Sequence, residues 1–388
     1  MLRVRFLRFL VVAVAASLSF LLILLSVYSK QSQTYSNVIQ EESDDSSDDD
    51  SSHIATFNDI IKQHAAIIEK ETSDYSFPNN LELQNFTLST GGRPLRNIII
   101  TTWRSGSTFL GDIMNAIPGN YYHYEPLLHF GIVQIRGPPY GDEAVKTLKK
   151  LLNCDYTDLD NYLAYGKTHI YLFTHNKRLW NVCAKYCWDP TFLREFCKLF
   201  PFQSMKVVRL RLALAEELLK DESLNVRVLL LIRDPRGTLQ SRKHRDWCPG
   251  APDCDQPNLL CEDIVADYKT AIRFQNEYPT RFRVIRYEDL SIDPYRHVKD
   301  LFQFFQLYMH PSVEAFLNSH TNHNSGGTSS TFRDSKSAPF HWRTELNFSE
   351  VQYIEKNCDQ AMKLWGYVKA HNESHLREFN PLDVYTVE

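Results

Sequence analysis

Residues 96–117 read RNIIITTWRSGSTFLGDIMNAI and pass from a strand pattern into a helix pattern. Residues 97–102 form a short, β-branched apolar run, which is typical of a buried strand. From 109 to 117 the apolar side chains follow helical spacing. The turn between them exposes unpaired backbone N–H groups at the positive end of the helix dipole. The segment therefore predicts a strand–turn–helix unit that can bind a phosphate or sulfate group.

Within this turn, Arg104 adds a permanent charge with a planar fork, and Gly106 allows close backbone approach. The hydroxyls of Ser105, Ser107 and Thr108 add hydrogen-bond donors. An ordinary strand-to-helix turn, in which Ser and Thr only cap the helix, is the alternative interpretation. The turn alone does not decide, because it is not a complete P-loop of the GxxxxGK[ST] type.

The composition of the 388-residue chain permits one large domain or two smaller ones. Hydrophobic residues make up 43% and aromatic residues 13%, which is enough for a substantial core. The net charge of −4 provides no global basic field, so a nucleic-acid partner is not expected. The eight cysteines are even in number and lie beyond residue 150. They indicate disulfides in an oxidising lumen, with zinc binding as the weaker alternative, because the chain has no CxxC pair.

The N-terminus predicts a membrane anchor. Residues 9–29 carry no charge and are rich in Leu, Val, Ala and Phe, and as a helix they would span roughly 30 Å. Arg3, Arg5 and Arg8 precede this run, so the positive-inside bias keeps residues 1–8 in the cytosol and sends the rest into the lumen. A cleaved signal peptide is the alternative, but its apolar region is usually shorter. We therefore expect a single-pass type II membrane protein.

Residues 30–95 are expected to be a luminal stem, partly disordered, because residues 41–52 contain only Glu, Asp and Ser. A short apolar stripe of helical spacing follows, which either pairs two protomers into a homodimer or covers part of the catalytic domain. Sequons at Asn85, Asn347 and Asn372 agree with a luminal location. The stripe consists of Ile54, Phe57, Ile60, Ile61, Ile67 and Ile68.

Two further strand patterns, Val226–Ile232 and Phe282–Arg286, alternate with helical segments. This alternation predicts an α/β fold with a mainly parallel sheet flanked by helices. In such sheets, ligands bind beyond the carboxyl ends of the strands. Arg104 and Arg233 both lie at such ends.

The segment after the second strand predicts a second anion site. It reads Arg233-Asp234-Pro235-Arg236-Gly237 and is followed by Ser241 and Arg242. A loop and helix start of this kind can hold a phosphate by charge and hydroxyl contacts, although a surface ion-pair loop is the alternative. Two anion sites on one sheet indicate a ligand with two separated phosphate groups.

In these motifs the chain resembles the Golgi carbohydrate 6-O-sulfotransferases. TTWRSGST at 101–108 is similar to their 5′-phosphosulfate loop, and LIRDPRGTLQSR at 231–242 is similar to their 3′-phosphate motif. MKVVRLR at 205–211 precedes the second motif as in that family. Four further segments fit the pattern of that family: Tyr124-Glu125-Pro126-Leu127, Trp342-Arg343, Cys358 and Gly366-Tyr367. The resemblance therefore spans roughly 96–368.

The resemblance implies a P-loop-like sulfotransferase domain at 96–370, followed by a C-terminal tail at 371–388, in the Golgi membrane. It implies 3′-phosphoadenylyl sulfate as co-substrate without a metal. It implies as acceptor the 6-hydroxyl of galactose, N-acetylgalactosamine or N-acetylglucosamine in a keratan-, chondroitin- or N-acetyllactosamine-type glycan. The expected binding residues are Thr102, Trp103, Arg104, Ser105, Gly106, Ser107, Thr108, Arg233, Asp234, Pro235, Arg236 and Ser241.

Glu125 is the candidate general base for the sugar hydroxyl, and Arg104 is the candidate for stabilising charge during transfer. A salt-bridged or capping role is the alternative for Glu125, and His123 is a rival base. Arg333 and Lys336 could form a lid over the sulfate donor. Four aromatic residues could stack on sugar rings or belong to the core: Trp103, Tyr140, His341 and Trp342. Three basic residues could attract an anionic glycan or be solvated beside an edge strand: Lys206, Arg209 and Arg211.

Two other classes share this layout. A Golgi glycosyltransferase often uses Asp-x-Asp to bind a metal–nucleotide sugar, and Asp158-Leu159-Asp160 and Asp253-Cys254-Asp255 fit that short pattern. Manganese dependence with a sugar nucleotide would distinguish it from metal-free use of a sulfate donor. A non-catalytic luminal glycan-binding protein is the third class, and loss of Arg104, Arg233 or Glu125 would favour it; all three are present.

Overall fold

The computed structural model describes residues 56–321, 331 and 334–387. Ala55–Glu388 form one compact unit, which begins before the expected domain boundary at residue 96. The predicted anchor at 9–29, the acidic stretch at 41–52 and Arg333 lie outside the described residues. Within the described ranges, no helix combines the length and apolar character that crossing a bilayer requires.

A five-stranded sheet forms the centre of the fold, with all strand pairs parallel and the order β2-β3-β1-β4-β5. The predicted parallel α/β architecture is confirmed. The strands at Val226–Ile232 and Phe282–Arg286 are found at the predicted positions, and the first strand begins two residues earlier than expected. The strands are β1 (Leu95–Ile100), β2 (Asn120–Tyr124), β3 (Phe202–Val207), β4 (Val226–Ile232) and β5 (Phe282–Arg286).

Both faces of the sheet are covered, which is why β1 and β4 end in continuous apolar runs, residues 98–100 and 228–232, rather than alternating. On β1, Ile98 and Ile100 pack into one core cluster, whereas Ile99 packs into the other. On β4, Leu230 and Leu231 divide between the two clusters in the same way. Alternate side chains of one strand therefore belong to opposite layers.

Helices form the two outer layers and the connections. They are α1 (Phe57–Glu71), α2 (Ser107–Asn115), α3 (Gly141–Leu152), α4 (Asp160–Thr168), α5 (Tyr171–Thr174), α6 (Lys177–Trp180), α7 (Pro190–Cys197), α8 (Glu216–Lys220), α9 (Pro235–Lys243), α10 (Pro252–Asp255), α11 (Pro257–Glu277), α12 (Tyr287–Ile292), α13 (Pro294–Phe305), α14 (Pro311–His320), α15 (Trp342–Glu345), α16 (Phe348–Asn357), α17 (Asp359–Leu364) and α18 (Glu373–Glu378).

The two ends of the described chain pack onto the domain. Thr56 caps α1, and the apolar stripe of this helix covers α7: Phe57 meets Phe192 edge to face, and the His64 ring lies 4.6 Å from that of Phe196. At the other end, α18 buries Leu376. The covering role is therefore observed for the described part of the stripe, Ile54 lies outside the described residues, and a homodimer stays a prediction.

All eight cysteines are paired, which confirms the expected disulfides. The connectivity, which the sequence left open, is Cys154–Cys197, Cys183–Cys187, Cys248–Cys254 and Cys261–Cys358. The last pair joins α11 to the end of α16 across 97 residues of sequence. The thiolates that zinc would need are therefore occupied.

Candidate active site

The turn after β1 is held by its own hydroxyls. The Thr101 hydroxyl donates to the Leu231 carbonyl oxygen on β4 (2.6 Å) and lies 2.7 Å from the Ser105 hydroxyl oxygen. The Ser105 hydroxyl in turn donates to the Thr102 carbonyl oxygen at 2.8 Å. Ser105 is buried, so its hydroxyl shapes the loop, and the start of α2 is left to face the adjoining cavity with Ser107 and Thr108.

Gly106 precedes α2 with a φ of 85°, a left-handed conformation that favours glycine. Its Cα also faces the Tyr287 ring: a Cβ here would lie 2.1 Å from Tyr287 Cδ2. The Arg233 guanidinium lies over the same ring, 4.8 Å from the centroid. Tyr287 therefore bridges the two predicted anion sites, a role that no sequence motif predicts.

Arg104 and Arg233 meet because β1 and β4 are neighbours and both strands end at the same edge. Arg233 Nη1 donates to the Arg104 carbonyl oxygen at 2.7 Å, and Arg104 Nε donates to the Ser241 hydroxyl at 3.1 Å. Burial, followed by repulsion from Arg245 and Arg233, lowers the pKa of Arg104 to about 10. The two predicted anion sites are thus parts of one positively charged region.

Arg242 supports this region from beneath. It is buried, and its guanidinium donates to the carbonyl oxygens of Trp103 (3.2 Å) and Cys254 (2.7 Å) and to the Thr102 hydroxyl (2.6 Å). Burial lowers the pKa of Arg242 to about 9. Thr102 therefore contacts this arginine, and its hydroxyl anchors the loop.

Three residues of the predicted binding set have structural contacts instead of facing the cavity: Asp234, Pro235 and Arg236. Asp234 caps α9 by accepting from the Arg236 amide (2.9 Å), and the two side chains form a salt bridge of 2.7 Å. Arg236 is completely buried, also binds Glu355 at 2.7 Å, and lies 4.1 Å from the Trp342 ring. These residues shape the helix that presents Ser241, and they do not line the cavity.

Glu125 follows β2 with a φ of 42° and is held between two cations. Lys206 Nζ lies 2.8 Å from Oε1 and Arg209 Nη1 lies 2.8 Å from Oε2. Burial acts to raise the pKa of Glu125, but the charges of Lys206 and Arg209 outweigh it and lower the pKa to about 2. The carboxylate is therefore ionised, and the salt-bridged alternative describes its state in this structure.

Lys206 lies on β3, which has a strand on either side, so it is not a solvated residue beside an edge strand. Its Nζ also lies 3.3 Å from the Thr108 hydroxyl and 3.8 Å from the centroid of the Tyr124 ring. Burial acts to lower the pKa of Lys206, but the charge of Glu125 outweighs it and the pKa is raised. The ammonium group thus joins the first turn of α2 to Glu125.

A cavity of about 820 Å³ collects these groups. Among the residues that the structure describes, five cationic side chains line it against two carboxylates, Glu125 and Glu345. Arg233 Nε and both Nε and Nη2 of Arg245 are buried without a hydrogen-bond partner among the described residues. Unpaired buried guanidinium nitrogens are costly unless an anion binds them. Of the predicted residues, the cavity contains Trp103, Arg104, Gly106, Ser107, Thr108, Glu125, Lys206, Arg209, Arg233, Ser241 and His341.

Other predicted residues lie elsewhere. The His123 ring is buried on β2, its Nε2 has no partner among the described residues, and burial lowers its pKa to about 3. His123 does not line the cavity, where a rival base would have to lie. Tyr140 and Lys336 are exposed, and Trp342 is buried. Arg211 pairs with Asp267 at 3.2 Å and serves the core.

The two Asp-x-Asp segments are engaged in structural contacts. Asp253 binds Arg136 at 2.8 Å, and Asp255 accepts from the Gly250 amide at 2.6 Å. In the other segment, Leu159 is buried and Asp158 lies 3.5 Å from Lys150. Within the described ranges, no group of three or more His, Cys, Asp or Glu side chains is arranged to hold a metal ion.

Arg245 is a further functional candidate that the sequence motifs do not indicate. It lies beyond the helix that carries Ser241, lines the cavity and acts electrostatically on Arg104. The sequence does contain a signal for it, because Arg242 and Arg245 are basic residues only three positions apart. Arg242 is the last residue of the 231–242 motif, whereas Arg245 lies beyond it. Only the packing shows that Arg242 faces the loop backbone while Arg245 faces the cavity.

A family described as the sulfotransferase domain matches residues 95–366. The chain belongs to this family, and it is a sulfotransferase. Carbohydrate sulfotransferase 5 of Mus musculus is 27% identical, over 74% of this chain and 85% of that protein. Carbohydrate sulfotransferase 3 of Homo sapiens is 26% identical, over 73% of this chain and 69% of that protein. The predicted kinship with carbohydrate sulfotransferases is confirmed.

Among solved structures, the sulfotransferase domain of a Synechococcus olefin synthase is 17% identical with a TM-score of 0.39, covering 69% of this chain and 94% of that chain. A mouse sulfotransferase solved with PAP is 10% identical with a TM-score of 0.35, covering 80% of this chain and 92% of that chain.

Proposed function

We propose that this enzyme transfers the sulfuryl group of 3′-phosphoadenylyl sulfate to the 6-hydroxyl of galactose, N-acetylgalactosamine or N-acetylglucosamine in a glycan. The observation that carries the proposal is the meeting of Arg104, Arg233 and Ser241 at the ends of β1 and β4. Cations at two neighbouring strand ends suit a ligand with separated phosphates better than a linear triphosphate. The names of the carbohydrate sulfotransferase relatives support a sugar acceptor.

The residues fit this sulfate donor. The N–H groups at the start of α2, with Ser107, Thr108 and Arg104, would hold the 5′-phosphosulfate. Arg233 and Ser241 would hold the 3′-phosphate, and the unpaired nitrogens of Arg233 and Arg245 would gain anionic partners. The bound co-substrate supplies the sulfuryl group and a phosphate leaving group. The fixed guanidinium groups would stabilise the charge that develops on that phosphate.

Glu125 is proposed to accept the proton of the sugar hydroxyl. With a pKa of about 2 it is a weak base while it is paired with both cations. Lys206 is also close to the Thr108 hydroxyl, so its ammonium group can turn from Glu125 towards an anion held at α2. This exchange would raise the pKa of Glu125 as the sulfate donor binds, and would couple binding to activation of the base.

The enzyme is further proposed to act in the Golgi lumen on keratan-, chondroitin- or N-acetyllactosamine-type chains, anchored as a single-pass type II protein. The uncharged segment at 9–29 and the sequons at Asn85, Asn347 and Asn372 support this location. All three sequon asparagines are exposed on the surface of the described domain.

The test is sulfate transfer by the full-length protein in detergent, with radiolabelled 3′-phosphoadenylyl sulfate and a panel of glycans ending in each of the three sugars. We expect label on a 6-hydroxyl, with activity that persists in a chelator. Transfer of a sugar from a manganese-bound sugar nucleotide, with no sulfate transfer, would overturn the proposal in favour of a glycosyltransferase.

The role of Glu125 is tested by Glu125→Gln. Because the amide cannot accept the proton, turnover should fall by at least about 100-fold while binding of adenosine 3′,5′-bisphosphate persists. Glu217→Gln changes an exposed carboxylate on α8, outside the cavity, and should behave as wild type. Near-normal turnover of Glu125→Gln would remove Glu125 from the role of base.

A further inference from the structure

The cavity has a wall of aromatic rings that the proposed phosphate contacts do not use. Tyr165, His169 and Tyr171, from the end of α4 and the start of α5, line the same cavity as Glu125. The Tyr165 and His169 rings are stacked, with centroids 3.8 Å apart and an interplanar angle of 4°. His169 Nδ1 is further held by the Thr168 hydroxyl oxygen at 2.8 Å. These rings form a stacked pair beside Tyr171.

The position of this wall relative to Glu125 is set by a second stacked pair. His175 directly follows α5, and its ring lies on that of Tyr124 with centroids 3.7 Å apart and an angle of 5°. Tyr124 is the residue before Glu125, so the segment that begins at Tyr171 is tied to the backbone that carries the candidate base. The burial that raises the pKa of Tyr171 to about 12 is reinforced by Tyr165 and by the charge of Glu125, which agrees with this proximity.

We propose that Tyr171 stacks on the apolar face of an uncharged pyranose of the acceptor and so presents its hydroxyl to Glu125. Tyr171 is 43% exposed, so its ring offers free area at the rim of the cavity. A flat aromatic ring with a polar tip suits a sugar, which has one C–H face and hydroxyls at its edge. Tyr165 and His169 act as positioning residues that hold this wall.

An uncharged sugar is favoured over a uronate by the charges near the ring. The charged groups that act on Tyr171 are Glu125 and Arg209, which are already paired with each other at 2.8 Å. Their fields largely cancel, so within the described part of the chain the charges that act on this ring leave no unpaired cation for a sugar carboxylate. The inference rests on the proposed function and adds the acceptor subsite to it.

The experiment compares Tyr171→Ala, Tyr171→Phe and Tyr353→Ala in the full-length protein in detergent. It uses an N-acetyllactosamine oligosaccharide as the acceptor probe and adenosine 3′,5′-bisphosphate as the nucleotide probe. Tyr353 is 60% exposed and lies outside this cavity, so its removal controls for loss of a surface ring. We expect Tyr171→Ala to raise the acceptor KM by roughly five- to tenfold, while the affinity for the nucleotide is unchanged. Tyr171→Phe should keep the wild-type KM.

An unchanged acceptor KM in Tyr171→Ala would overturn the inference and leave the proposed function intact. Equal losses in Tyr171→Ala and Tyr353→Ala would also overturn it. Weakened nucleotide binding in Tyr171→Ala would assign the ring to the nucleotide site instead. A wild-type protein that binds the nucleotide but neither binds nor sulfates the oligosaccharide, in a panel that includes uronate-containing chains, would reject the acceptor class and this subsite together.

Discussion

Gly106 is needed for two separate reasons: the backbone is left-handed, and it lies too close to the Tyr287 ring to leave room for a Cβ. Gly106→Ala should lower the free energy of unfolding by roughly 2–4 kcal/mol, combining left-handed strain with overpacking, and should weaken nucleotide binding. The measurement is chemical denaturation followed by tryptophan fluorescence.

Gly250→Ala is the matched control for Gly106→Ala. Gly250 has the same φ of 85° but has nothing within 4 Å of an added Cβ. It should therefore show only the strain, roughly 1–2 kcal/mol. Equal losses in the two variants would mean that the ring contact at Gly106 does not matter.

Arg233 should discriminate between nucleotides. Arg233→Ala is expected to weaken binding of adenosine 3′,5′-bisphosphate by roughly 10–100-fold, because a charged hydrogen bond to the 3′-phosphate is lost, and to affect AMP far less. Calorimetry with both ligands gives the ratio. Lys243→Ala, at the end of the helix α9 that follows Arg233 and paired with Glu350, should change neither affinity. If both ligands lose affinity equally, Arg233 acts only through the Arg104 carbonyl.

Helix α1 carries a buried histidine that makes its attachment sensitive to acid. Burial between Phe196 and Phe200 lowers the pKa of His64 from 6.5 to about 4. Between these values the unfolded state binds more protons, so stability falls as pH falls. We expect protonation of His64 in the unfolded state to lower the free energy of unfolding of the wild type by about 2 kcal/mol between pH 7.5 and 5.

His64→Leu should remove that part of the pH dependence, because leucine has a similar volume and does not titrate. The comparison is the difference in free energy of unfolding between pH 7.5 and 5, wild type against variant. An identical difference in the two proteins would show that His64 is not protonated on release of α1.

The strand β3 shows why sequence patterns found some elements and missed others. β1, β4 and β5 could be predicted from short runs of apolar and β-branched residues. β3 contains Gln203, Ser204 and Lys206, and these polar residues conceal it, although all are buried. Their burial depends on β2 and β1 lying on either side, which a local pattern does not encode.

The disulfides should contribute to the stability of the whole molecule according to the loops that they close. Replacing Cys261 and Cys358 together with Ala should cost roughly 4–5 kcal/mol, because the bridge closes a loop of 97 residues. The same change at Cys183 and Cys187, which are four residues apart, should cost roughly 2 kcal/mol. Urea denaturation of both double variants measures the two losses. A larger loss for the short loop would mean that native packing, not chain entropy, sets the contribution.

The sequence by itself determined the parallel α/β architecture, the turn at Arg104 and the second turn at Arg233, because hydrophobic period and turn chemistry are local properties. It also led to the sulfotransferase family. Only the tertiary structure decided the state of Glu125, because its partners Lys206 and Arg209 are 81 and 84 residues away. Likewise, only packing turned Arg236 into the core and Arg245 into the cavity. Such choices depend on which strands become neighbours and on the cost of leaving a buried charge unpaired.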